Sequence, residues 1–200
     1  MPKIRAASVA EHVEQQRAAV SEAALRLFVE RGYHAVSLGD IAAEVGLARS
    51  SLYRYVPDKA HLLVDWFRRE LPAEAARAAE VLDGPGPPVA RIQAWAKAQL
   101  AYARTPEHVL VATLAEVAPQ LDDDARAELA GAHAALFGPL LAVVEEAGLV
   151  GADARAAVAL LGGLVIAAGR HEGEGGDPDA VEARLAAAVA GVLAEPTRGS

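Results

Sequence analysis

Between Ser37 and Lys59 the sequence S-L-G-D-I-A-A-E-V-G-L-A-R-S-S-L-Y-R-Y-V-P-D-K is so densely punctuated that few backbone courses are open to it. Ser37 followed three residues later by Asp40 is a capping-box pattern, and Leu38, Ile41, Ala42 and Val45 recur at the spacing of one helical face. Gly46 interrupts that helix. After a tight turn through Leu47 and Ala48, a second short helix is predicted from Ser50 to about Val56. Pro57 closes it, and Asp58 is placed to cap the helix that follows. Helix, glycine turn and helix within about twenty residues make the helix-turn-helix plan, in which the second helix enters the DNA major groove.

A helical wheel tests whether the chemistry faces outward. Leu52 and Val56 share one face and must pack on Ile41, Val45 and Leu47. Ser50 and Arg54 then point the opposite way, with Ser51 and Tyr53 beside them and Tyr55 nearer the core edge. Any one of these residues is ordinary: exposed serine and arginine are usually solvated surface, and tyrosines usually pack. The agreement of cap, turn, outward polar face and stop signal is what points to phosphates and base edges.

The patch also stands apart in charge. The chain has a formal net charge of -8, yet residues 1–60 hold eight Lys and Arg against seven Asp and Glu, which leaves -9 for the rest. That asymmetry suggests two jobs, a helix-turn-helix domain over 1–60 and an acidic body over 61–200. The body reads as helical throughout. The hydrophobic fraction is 53% with 4% aromatics, so the apolar content is mostly Ala, Leu and Val, which favours helices over strands. A first helix is expected from about Ser8 to Arg31, ended by Gly32. A fourth follows Lys59, with Pro72 expected to kink or break it. Further helical patterns occupy about 89–104, 107–118, 122–147, 153–171 and 178–194, separated by "DGPGPP", Thr105-Pro106, Ala118-Pro119, Gly148 and "GEGGDP". The expectation is an all-α protein of about nine helices.

Several function classes are disfavoured. There are no cysteines, so disulfides and thiolate metal sites are excluded. The N-terminus lacks the apolar core of a signal peptide, and the run Ala156–Gly169 is shorter than a membrane span, so a soluble, cytoplasmic protein is expected. The sequence has no H-E-x-x-H, no G-x-S-x-G and no P-loop, and "GEGGDPD" lacks the lysine and strand of a phosphate loop. His171, Glu172 and Glu174 are potential metal ligands, but a helix end running into a Gly/Glu loop is ordinarily solvated. Asp122, Asp123 and Asp124 read as helix N-terminal charge. No catalytic residue, metal or cofactor is expected.

The segment 37–63 resembles the DNA-binding signature of TetR/AcrR-type transcriptional regulators, roughly T-x-x-x-I-A-x-x-A-G-V-S-x-x-x-L-Y-x-Y-F-x-x-K-x-x-L. "AALRLFVERGYHAVS" before it is similar to that family's first helix. Ser37, Val45, Leu47, Ala48 and Val56 stand where the pattern has Thr, Ala, Val, Ser and Phe. Ala48 removes a hydroxyl that would otherwise cap the recognition helix or touch phosphate. The resemblance implies that Ser37 contacts phosphate, that Tyr55 and Lys59 bind the backbone, and that Arg49, Ser50, Ser51 and Tyr53 approach bases or flanking phosphates. Gly39 occupies a position where some relatives carry a base-reading side chain. Truncating Lys59 is expected to weaken binding to all sequences and flatten its salt dependence.

It further implies a ligand-responsive repressor, released from a near-palindromic operator by a small-molecule effector. The alternative is a helix-turn-helix protein serving assembly without an effector. A homodimer is expected because one short recognition helix reads only a few base pairs. The candidate dimer stripes are Leu160, Leu161, Leu164, Val165 and Ala168 beside Gly162 and Gly163, and Val181, Leu185, Ala188, Val189 and Val192. Candidate effector-lining residues are Trp66, Trp95, Tyr102, His108, Thr113, His133 and Phe137, the bulky or polar residues of Ala/Leu/Val helices. The excess of carboxylates leans toward a neutral or cationic ligand.

Overall fold

The computed structural model describes residues 2–194, and among them the side chains other than those of residues 2–10, 107, 109, 112, 115 and 133. The described residues form nine α-helices and two 3-10 turns, with no strand among them. The helices are α1 (Pro2–Arg31), α2 (Leu38–Glu44), α3 (Arg49–Leu52), α4 (Lys59–Leu82), α5 (Pro88–Ala103), α6 (Val109–Val117), α7 (Asp123–Glu146), α8 (Gly151–Gly173) and α9 (Pro178–Leu193). The protein is all-α.

Local chemistry sets the boundaries around α2. Gly32 ends α1 at φ +82° and Gly46 ends α2 at φ +69°, conformations that cost a side-chain-bearing residue steric strain. The capping box is closed in both directions. The Ser37 backbone N–H donates to Asp40 Oδ2 at 2.8 Å, and the Asp40 N–H donates to Ser37 Oγ at 3.2 Å. The Ser37 hydroxyl also donates to Asp40 Oδ2 at 2.5 Å, and this bond, followed by that from the Ser37 N–H, holds the Asp40 carboxyl below its ordinary pKa.

Two expectations need correction. The recognition helix is shorter than its sequence suggests, because α3 stops at Leu52 and Tyr53–Tyr55 form a tight turn. Tyr55 N–H bonds to the Leu52 carbonyl at 2.9 Å, three residues back, which winds the chain too tightly to extend an α-helix. Its start is also weakly held, since Ala48 supplies no side-chain cap. Conversely, α4 does not break at Pro72 but runs on to Leu82. Pro72 removes the N–H that would reach Arg68, and both residues are exposed, so solvent can satisfy the freed carbonyl.

The chain divides into two compact units, Met1–Glu70 with Pro106–Ala130, and Leu71–Thr105 with Gly131–Ser200. This partition differs from a cut at residue 60. The core of the first unit gathers Val20, Leu27 and Phe28 of α1, Ile41 of α2, Leu52 of α3 and Leu62, Leu63 and Trp66 of α4. Leu110, Leu114 and Val117 of α6 are buried in the same cluster. The second unit buries Ile92, Trp95 and Leu100 of α5, Leu140 and Val144 of α7, Leu161 and Val165 of α8, and Leu185 and Val189 of α9. By length and composition α7 and α8 are apolar enough to cross a bilayer, which the run 156–169 taken alone is not. Both put a row of side chains into the second core.

Replacing Ser37 with Ala is expected to cost about 1 kcal/mol, the usual loss of an N-cap. Thermal unfolding should shift down by roughly 2–4 °C for a chain of this size. An unchanged midpoint would mean the capping box contributes nothing to the first unit.

Candidate nucleic-acid interface

The outward surface of α2–α3 is built from residues that the core leaves free. Leu52 is fully buried and Val56 nearly so, and with Ile41 and Ala42 they fix which way the short α3 faces. Ser37, Ala48, Arg49, Ser50, Tyr53 and Arg54 are exposed, while Ser51 and Tyr55 are half-buried. Tyr53 keeps 52% of its surface accessible, a large value for an aromatic residue, and so presents its ring to solvent. The Arg54 guanidinium lies 5.7 Å from the centre of the Tyr55 ring. Arg54 was visible on the helical wheel opposite Leu52, yet the family pattern assigns it no role. Gly39 has only the Ser37 hydroxyl near its missing Cβ, at 3.4 Å, so α2 contributes backbone and no side chain there.

Lys59 is placed differently from these residues. Its ammonium donates to the Tyr33 carbonyl at 2.7 Å and to the Val36 carbonyl at 2.8 Å. It also sits 4.1 Å from the centre of the Tyr33 ring. Burial lowers its pKa from the ordinary lysine value.

Beside it, Asp58 caps α4 by accepting the His61 N–H at 3.0 Å. His61 Nδ1 lies 2.9 Å from the same carboxylate oxygen, and its Nε2 lies 3.4 Å from Asp122 Oδ2 at the start of α7. A second pair, His34 Nε2 to Glu116 Oε2 at 3.4 Å, joins the loop before α2 to α6. Burial disfavours the charged His61 ring, but the hydrogen bonds and charges of Asp58 and Asp122 outweigh it and raise its pKa. No sequence pattern pairs these histidines with carboxylates so far away in the chain.

The family description "Bacterial regulatory proteins, tetR family" matches residues 20–65, which span the end of α1 through the first turns of α4. The chain is 39% identical over 57 residues to the HTH-type transcriptional repressor KstR of Rhodococcus jostii (strain RHA1), covering 28% of this chain and 27% of that one. It is 32% identical over 85 residues to the HTH-type transcriptional repressor KstR2 of Mycobacterium tuberculosis (strain ATCC 25618 / H37Rv), covering 42% of each. Residues 20–65 are thus similar to the DNA-binding segment of TetR-family regulators. The chain matches these two repressors over less than half of their own lengths. The fold agrees over a longer span. The TetR-family regulator SCO4454 of Streptomyces coelicolor superposes with a TM-score of 0.69 at 20% identity, covering 96% of this chain and 94% of that one. A transcriptional regulator from Saccharomonospora viridis in complex with choline gives a TM-score of 0.66 at 22% identity, covering 86% of this chain and 94% of that one.

The remaining candidate residues are distributed unevenly over the two units. A hollow of about 380 Å³ lies between α4 and α5, walled by Ala78, Val81, Ala98 and Ala101 with Glu74, Gln99 and Tyr102 among its polar groups. Tyr102 is thus in a cavity wall. Trp95 and Phe137 instead meet edge to face at 6.3 Å in the second core. Trp66 is buried in the first core, and His108 and Thr113 belong to that first unit. The His133 side chain lies outside the described residues. Among the described residues, the indole N–H groups of Trp66 and Trp95 are buried without an acceptor. Glu172 is engaged by Arg104 through two bonds of 2.8 and 2.9 Å, which lower its pKa.

The dimer stripes also separate. Leu161, Val165, Val181, Leu185 and Val189 are buried within the chain. Leu160 and Ile166 are 59% and 60% exposed, and with Ala156, Ala159, Gly163 and Ala167 they form an outward apolar row on α8.

The raised pKa of His61 has a defined sign. Its contribution is complete below the unfolded value of about 6.5 and is lost as pH rises through the higher folded value. The parent should therefore gain stability over a His61→Gln variant as pH falls from about 8 to about 6. Urea unfolding at the two pH values checks this, and a pH-independent difference would remove His61 from the linkage.

Proposed function

We propose that the chain is a transcriptional repressor that binds a near-palindromic DNA operator as a homodimer and is released by a small-molecule effector. The observation that carries the DNA reading is the exposed Arg49 and Ser50 of α3 and Tyr53 and Arg54 of the turn after it, a segment whose other side is locked by Leu52. Arg and Ser are suited to base edges and phosphates, and Tyr53 offers a flat apolar ring with a hydroxyl at its tip. Ser37 and Tyr55 flank this surface as candidate phosphate contacts. The repressor names of the two matched relatives support the same reading. We read the protein as non-enzymatic, soluble and cytoplasmic.

For the dimer we assign the outward α8 row, Leu160, Gly163, Ile166 and Ala167, in place of the buried stripe. Small residues between two large apolar ones let a second helix approach closely, and burying such a row is favourable at about 25 cal/mol per Å². For the effector we assign the hollow beside Tyr102, whose mixed apolar and polar wall suits a small organic ligand. The choline bound by one structural neighbour supports an effector of small organic type and goes no further. An effector must act by binding the operator-free state more tightly.

Two outcomes test these assignments. Arg49→Ala should weaken a selected operator about tenfold, within the range of one bidentate base contact, while leaving random duplex nearly unaffected. Equal weakening on both duplexes would make Arg49 a backbone contact. Ile166→Glu should yield a folded monomer at micromolar concentration in light scattering, whereas Leu161→Ala should destabilise the fold by about 2–5 kcal/mol. A dimeric Ile166→Glu protein would place the interface elsewhere.

A further inference from the structure

Lys59 opens α4 directly after the turn that closes α3. The two carbonyls it binds, at 2.7 and 2.8 Å, belong to the loop between α1 and α2, and Val36 immediately precedes the N-cap Ser37. A lysine ammonium has three N–H donors, so two are committed inside the protein, and the Tyr33 ring at 4.1 Å occupies the space on one side. The loop they grip is itself anchored. Tyr33 is 9% exposed and meets Phe28 at 5.1 Å, and Val36 is 2% exposed. One ammonium therefore ties the start of α2 to the start of α4, the elements on either side of α3.

We propose that Lys59 is a positioning residue of the DNA-reading surface, holding the loop before α2 against the head of α4, and is not itself a phosphate contact. The proposal rests on the DNA-binding reading above. A salt titration separates the two roles. Removing a cation that neutralises one phosphate lowers the slope of log K against log salt by about 0.9, hence by about 1.8 for two protomers, whereas removing an internal hydrogen bond leaves the slope alone.

The experiment uses the full chain, a selected operator duplex and Lys59→Met, which keeps an apolar stem against the Tyr33 ring and removes every donor. The expected result is about tenfold weaker binding, the scale of a charged hydrogen bond, with the parent's salt slope. Hydrogen exchange across residues 33–38 of the DNA-free protein should accelerate as well. A slope reduced by about 1.8, or unchanged affinity, overturns the proposal.

If the variant does not fold, acetylation of the parent decides. Lys59 should react more slowly than the exposed Lys97 whether or not DNA is present. Protection of Lys59 that appears only with DNA would make it a phosphate contact. If the parent binds no duplex at all, the DNA reading fails on its own. The exchange and acetylation of the free protein still report whether the clamp exists.

Discussion

A helix of four residues has no stability of its own, since nucleating one turn costs more than its few hydrogen bonds return. Everything about the reading surface therefore depends on the burial of Leu52. It is fully buried in a cluster to which α1, α2, α4 and α6 all contribute. Val56 continues the anchor after the turn, and its N–H reaches the Leu52 carbonyl at 3.1 Å. Because the core grips one side of this segment, the opposite side is left to Arg49 and Ser50 of α3 and to Arg54 of the turn after it. Orientation of the polar face is a consequence of apolar packing, and no polar contact is needed to produce it.

That dependence extends the helix-turn-helix beyond its contiguous segment. Leu110, Leu114 and Val117 of α6 fill the same cluster, though they lie more than fifty residues from Leu52 in the chain. The acidic character of the later sequence serves this packing. Glu116 faces His34, Asp122 faces His61, and Glu128 faces Arg68 at 3.2 Å. Exposed pairs of this kind are individually weak. They place acidic groups of α6, α7 and the turn between them against the loop before α2 and the first turns of α4, all within the first unit.

What was legible in the sequence was what local chemistry decides. The Ser37–Asp40 box, the stops at Gly32 and Gly46, the Asp58 cap and the inward Leu52 all follow from residues within four positions of one another. The length of α3 was not legible, because Ser50 to Val56 is compatible with a helix until the Tyr55 N–H chooses Leu52 over Ser51. On α8 the direction of the stripe was not legible for another reason. Apolar residues surround that helix, so periodicity marks no inward side, and Leu160 and Leu161 are indistinguishable until α5 and α9 cover one of them. The effector residues were selected for being bulky or polar. Bulk draws tryptophan and phenylalanine into cores, where Trp66, Trp95 and Phe137 are found packed.

Lys59 illustrates the remaining kind of blindness. Read along the chain, it is a cation after a proline turn, in a motif whose exposed residues suit phosphates and base edges. Its partners are backbone carbonyls 23 and 26 residues earlier, which carry no residue-type signal at all. Within the loop the Tyr33 carbonyl accepts only a long bond of 3.4 Å from the Val36 N–H among the described bonds, and backbone carbonyls of buried residues need donors. A long, flexible side chain with three donors at the head of α4 meets that need while its stem passes the Tyr33 ring. The same residue type thus satisfies the folded chain's backbone before any ligand is considered, and the geometry of the α1–α2 loop, not the motif, determines which demand it answers.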